Sequence, residues 1–192
     1  MNMKIKEEIE QTLLKTEREG IEDLITCLKV IDYFEAPCSG GNHLAKEGGL
    51  AEHSLNVLHV AEKMSVALIG GKNLTKEMQN AIIICSLLHD LGKCGDFRKP
   101  NYVPNVLKNG KVSEAKPYET NKELLNVPHE VRSVKLCTLF IDLTEDEEYA
   151  ILMHNGLYGP LKYEIQGNET PLYMIIHWAD MWASRVIEKE EK

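Results

Sequence analysis

The pair His89-Asp90 closes the run AIIICSLLHDLGK (Ala81–Lys93), and its chemistry is the first thing the chain offers. The stretch Ala81–Leu88 is apolar almost all round apart from Ser86, so it reads as a helix buried on most faces. A buried carboxylate costs several kcal/mol unless it is paired, protonated or bound to a metal. Adjacent His and Asp side chains at a helix end can both turn toward one cation, so further ligands are expected elsewhere.

Two candidates stand on inward stripes. In GGLAEHSLNVLHVAEKM, His53 shares a helical face with Val57, Val60, Ala61, Met64 and Leu68. In PLYMIIHWADMWASRVIE, Asp180 shares a face with Leu172, Ile176 and Ala183. His53, His89, Asp90 and Asp180 then form a mixed nitrogen and oxygen set, suited to Mn, Fe, Co, Ni, Zn or Mg. Asp90 and Asp180 could instead be buried partners of Arg or Lys, but no basic residue falls on the matching stripes. A divalent ion there would acidify water and polarise a phosphoryl group. Asp180 is placed to orient the nucleophile. Lys93 follows the pair closely enough to meet a phosphate as a point charge. Arg98 and Lys99 could clamp a terminal phosphate, as could Arg132.

The elements that must position these residues are mostly helical. Residues 5–17 and 21–34 read as two helices parted near Gly20, with Pro37 after the second. A Gly-rich loop at 38–49 contains His43, read as lying opposite the mouth of the site. Residues 50–69 form the His53 helix, stopped by Gly70-Gly71. Thr75 starts the helix that ends at Asp90. The polar segment 92–127 holds Pro100, Pro104 and Pro117, and its Asn109-Gly110 predicts a type I′ hairpin, a two-stranded flap over or beside the site. Residues 129–140 read as helical. Thr144 to Glu147 is a capping box opening a helix that ends near Met153. Thr170-Pro171 caps and starts the last helix. The tail EKEEK reads as a solvated charge run. The class is all-α with a small β-hairpin insertion at about 94–127, in a single domain spanning 1–192.

The order His53, His89-Asp90, Asp180 resembles the HD-domain superfamily of metal-dependent phosphohydrolases. GGLAEHSLNV, SLLHDLGK and IIHWADMWAS carry the resemblance, which runs from about Gly20 to Glu188. The chain is similar to small single-domain HD hydrolases of bacteria and their phages, and to the HD portions of bacterial 3′-to-5′ exoribonucleases. The resemblance implies an HD helical bundle. It also implies that His129 in VPHEVRSV and His154 in ILMHNGLYG hold a second ion, with Asp90 bridging. One ion rests on the inward residues; the second rests on the resemblance.

Composition bounds the function. The net charge of −8 argues against extended nucleic acid as a partner. Five cysteines without a CxxC pair suggest free thiols in a reducing compartment. The charged N-terminus has no secretory pattern, and no apolar run is long enough to cross a membrane, so a cytoplasmic location is expected. The expected activity is hydrolysis of a phosphomonoester or phosphodiester in a small phosphorylated substrate, a nucleotide, by metal-activated water. The alternatives are a 3′-to-5′ nuclease on single-stranded RNA or DNA, and a non-catalytic metal- or nucleotide-binding regulatory module. His59 reads as structural or partly exposed. His177, one turn before Asp180, reads either as an orienting partner of a ligand or as a core residue.

Overall fold

The computed structural model describes residues 3–97 and 99–189. Seven α-helices and one two-stranded sheet are found among them. The helices are α1 (Met3–Leu14), α2 (Ile21–Val30), α3 (Gly49–Ser65), α4 (Lys76–Leu88), α5 (His129–Thr138), α6 (Glu145–Met153) and α7 (Pro171–Trp182). The strands are β1 (Tyr102–Pro104) and β2 (Tyr118–Thr120), paired antiparallel with Val103 opposite Glu119. No helix among the described residues is long and apolar enough to cross a membrane.

Local sequence explains where the helices begin. The Thr75 hydroxyl accepts from Met78 N–H at the start of α4. Thr144 and Glu147 form the expected reciprocal capping box at α6. The Thr170 hydroxyl caps α7, with Pro171 at its first position. Glu147 is buried and also receives the Arg18 guanidinium at 2.6 Å, which ties the α1–α2 link to α6.

The apolar stripes meet in one buried cluster. It gathers Leu50, Val57, Leu58 and Ala61 from α3, Ile84, Leu87 and Leu88 from α4, and Ile176 and Ala179 from α7. Helix α3 packs against both α4 and α7, and α5 packs against the turn that follows α4. The Tyr33 hydroxyl donates to the Leu87 carbonyl at 2.7 Å and holds the end of α4 to the chain after α2. Together with α6, whose C-cap is His154, five helices thus bring their His or Asp to one place.

Two expectations need adjustment. Helix α4 stops at Leu88 rather than Asp90; His89 is its C-cap, and a 3₁₀ turn covers Leu91–Cys94. The Asn109-Gly110 turn is not type I′. Lys108 and Asn109 keep negative φ, and in this turn only Gly110 is left-handed, at +80°. Gly110 N–H donates to the Leu107 carbonyl and Leu107 N–H to the Lys111 carbonyl. This is a type I turn followed by a left-handed Gly, the usual three-residue hairpin loop. Asn109 therefore avoids the second positive φ that type I′ would demand of its neighbourhood. The flap lies beside the site: Tyr118 N–H donates to Gly40 O, and Tyr102 shares the wall of a cavity of about 260 Å³ with Lys93.

The packing of α5 on the turn after α4 depends on Gly92. Its N–H donates to the Ser133 hydroxyl at 2.8 Å. A Cβ here would overlap the His129 carbonyl and stand 2.7 Å from Arg132 Cβ. Replacing Gly92 by Ala should therefore push the start of α5 outward, at a cost of about 1–3 kcal/mol. A lower melting temperature in chelator, read by calorimetry, is the expected outcome; an unchanged melting temperature would show that α5 does not need this close approach.

Candidate metal centre

Five of the residues singled out from sequence gather around a sixth, Asp90. His53 comes from the second turn of α3, His89 from the C-cap of α4, and Asp90 from the residue after it. Asp180 lies on α7, His129 opens α5, and His154 is the C-cap of α6. His129 Nε2 is 3.1 Å and His154 Nε2 3.5 Å from Asp90 Oδ1. His53 Nε2 is 3.5 Å and His89 Nε2 3.4 Å from Asp90 Oδ2. Asp180 Oδ1 is 3.2 Å from His53 Nε2.

The other ring nitrogens explain this convergence. His89 Nδ1 donates to the Ser86 carbonyl at 2.9 Å, and His154 Nδ1 to the Ile151 carbonyl at 2.7 Å. A carbonyl can only accept, so Nδ1 of both rings carries the proton. His53 Nδ1 meets Glu188, and His129 Nδ1 lies 3.2 Å from Glu130 Oε2. In the neutral tautomer each ring then presents an Nε2 lone pair to its neighbours. His129 and His154 bring two such atoms within 3.3 Å of each other. Lone pairs at that separation repel unless a proton or a cation lies among them.

The cluster fits a divalent cation on this ground. His53 Nε2, His89 Nε2 and Asp90 Oδ1 are buried and have no hydrogen-bond partner. Buried polar atoms rarely remain so. Three sets of donor atoms could each hold an ion: His53, His89 and Asp90; His89, His154 and Asp180; Asp90, His129 and His154. Imidazole and carboxylate donors without an obligatory thiolate suit first-row divalent ions.

Electrostatics point the same way. Burial alone would raise the Asp90 pKa, yet Lys93 and His89, with His129 and His154 facing its other oxygen, hold it well below the carboxylate range. Asp180 is also lowered: burial opposes the charge, and His53 outweighs it. Burial opposes charge on His53, but Cys38, Asp180 and Glu188 outweigh it and hold its pKa well above the imidazole range. The surroundings of His53 Nε2 thus favour positive charge, which a metal ion would also supply.

Other residues fall differently from expectation. Lys93 reaches Asp90 Oδ2 at 2.6 Å, so a basic partner for this carboxylate exists after all, one turn away rather than on the helical stripe. It leaves Asp90 Oδ1 for another ligand. Arg132 is buried and donates to the Leu125 carbonyl; among the described residues none of its hydrogen bonds reaches the cluster. Arg98 lies outside the described residues. His43 is beside the site and not opposite its mouth: its ring is 5.1 Å from that of His53. Its Nε2 is 3.3 Å from the Cys38 thiol, whose pKa burial pushes up. Cys38, His43 and His53 form a further possible ligand group. His177 Nδ1 donates to the His154 carbonyl at 2.7 Å and so steadies a cluster residue through its backbone. His59 pairs with Glu8 at the surface, as its structural reading implied.

Sequence reasoning missed Glu188, Glu130 and Cys38. Glu188 stood in a tail read as solvated, but it is buried against His53 and Asn56. A π-turn at Ala183–Ile187 carries it inward. Glu130 drew no reading, and Cys38 looked like one of several scattered thiols. The only signal for Glu130 was its place directly after a candidate ligand.

A family model of the HD domain matches residues 50–181. This is well over half the chain, and the protein belongs to the HD domain family, a family of metal-dependent phosphohydrolases. No curated protein and no solved structure matches the chain. The similarity to the exoribonucleases therefore gains nothing from these comparisons.

Manganese titration of the chelator-treated protein should give two equivalents per chain. The double variant His129→Ala/His154→Ala should retain one, and Asp90→Ala should bind at least about 100-fold more weakly at both. Free metal at about 100 times Kd should stabilise the wild type by about 2.7 kcal/mol for each occupied site. Two equivalents in the double variant would show that these histidines do not serve a second ion.

Proposed function

We propose that this protein hydrolyses a phosphoester bond in a small phosphorylated substrate, a nucleotide, at the His53/His89/Asp90/Asp180/His129/His154 cluster. The observation that supports this best is the convergence of four Nε2 atoms on one buried carboxylate while every Nδ1 faces an acceptor. A divalent cation held by this set supplies positive charge to a phosphoryl oxygen and makes water more acidic.

The chain's own groups have separable tasks. His53, His89, His154 and Asp90 are buried and rigidly held, which favours pre-organisation over adaptability. Asp180 and His129 are 17% and 28% exposed at their side chains, so substrate approaches from their side. Asp180 stays ionised and accepts a hydrogen bond from the attacking water, fixing its direction. Lys93 neutralises part of the charge on Asp90 and adds positive potential where the phosphate arrives. Arg132, held to the Leu125 carbonyl, is not assigned a phosphate contact. The net charge of −8 favours a small substrate over a long polyanion, which weighs against the nuclease reading.

The test offers manganese-loaded protein nucleoside mono- and triphosphates, a generic phosphodiester and labelled single-stranded RNA. Release of phosphate or cleavage of a small ester, abolished by Asp90→Ala, is expected. Shortening of RNA alone would favour a nuclease. Tight nucleotide binding without turnover would favour a regulatory module. Lys93→Ala should keep its full metal complement and lose about tenfold or more in kcat, the scale of one electrostatic contact near a developing charge; an unchanged kcat would remove Lys93 from the reaction.

A further inference from the structure

Where a histidine sits along its helix decides what can hold its Nδ1–H. His89 and His154 are C-caps, and the carbonyls three residues back, Ser86 and Ile151, belong to the last turn of their helices. Such carbonyls lack an intrahelical partner and are free to accept. His53 lies near the other end of α3. The carbonyl three residues before it is that of Leu50, which already accepts from the Ser54 hydroxyl at 3.0 Å. Its ring therefore needs an acceptor from outside its own helix.

Glu188 is that acceptor. Its two carboxylate oxygens each lie 3.0 Å from His53 Nδ1. Asn56, one turn along α3, donates its side-chain amide to Glu188 Oε1 at 3.0 Å. His43 Nε2 faces Oε2 from 3.8 Å. Glu188 and His53 are both buried. The wide turn at Ala183–Ile187 brings the chain back toward α3 after Asp180 has been delivered to the cluster.

We propose that Glu188 is a positioning residue for the metal centre: it holds His53 as the Nδ1–H tautomer and so keeps the Nε2 lone pair on the cation. This rests on the metal reading given above. A carboxylate behind a ligating imidazole fixes the ring and raises its basicity, and loss of such partners typically costs 10–100-fold in metal affinity. α7 and the turn after it then serve His53 twice, with Asp180 at Nε2 and Glu188 at Nδ1.

The full chain is compared with Glu188→Gln and Glu188→Ala by manganese titration calorimetry and by melting in chelator. Zinc-loaded samples give long-range ¹H–¹⁵N spectra of the imidazoles. Affinity for the tighter ion should fall about 10–100-fold in Glu188→Ala. Glu188→Gln should lie between, because its amide oxygen still accepts from Nδ1–H but carries no charge. The Nδ1–H signal of His53 should be present in the wild type and displaced in Glu188→Ala. Equal affinities in all three proteins would overturn the proposal, even with lowered melting temperatures, since Glu188 would then only anchor the end of the chain. A wild type that takes up no divalent ion would defeat the metal reading itself, a result separate from the first.

Discussion

Four imidazoles have their Nδ1 atoms turned to acceptors, and that commitment turns their Nε2 atoms toward Asp90 and, for His53, Asp180 as well. Without positive charge among them, the arrangement sets lone pairs against lone pairs and leaves buried polar atoms unbonded. Such an arrangement is costly, and a protein keeps it only where something else repays the strain elsewhere in its cycle. Lys93 relieves one oxygen of Asp90 but does not reach Oδ1, which stays open between His129 and His154.

The fold can be understood as a means of meeting this constraint. Two histidines of the cluster end helices, where unpaired carbonyls are at hand. Two others stand near helix starts and take carboxylates instead, Glu188 for His53 and Glu130 for His129. Gly92 lets α5 press against the turn after α4, which brings His129 to the far side of Asp90. The capped starts of α4, α6 and α7 fix where each helix begins and hence which residue faces inward. Rigid helices with locked rotamers hold such a site better than loops would.

Much of this was legible in the chain. Apolar periodicity placed His53 and Asp180 inward, because a buried stripe constrains every residue on it. The caps at Thr144 and Thr170 were readable because capping chemistry is local. The pairing of Lys93 with Asp90 was missed because the stripe argument stops where α4 stops, and a 3₁₀ turn then reorients the chain. Glu188 was illegible for a related reason: a π-turn shifts the register after Asp180, and a single inward acid in a charged tail looks solvated. Asn109-Gly110 signalled a hairpin, but the dipeptide does not decide between a two- and a three-residue loop. His43 depended on a loop path that no periodicity describes.

The central claim is that this cluster, and not the neighbouring Cys38–His43 pair, is what holds a divalent ion. X-ray absorption at the zinc edge of the zinc-loaded protein tests it directly. The account predicts a shell of imidazole nitrogen and carboxylate oxygen with no sulfur. A sulfur scatterer at bonding distance, or a shell without imidazole, would contradict it.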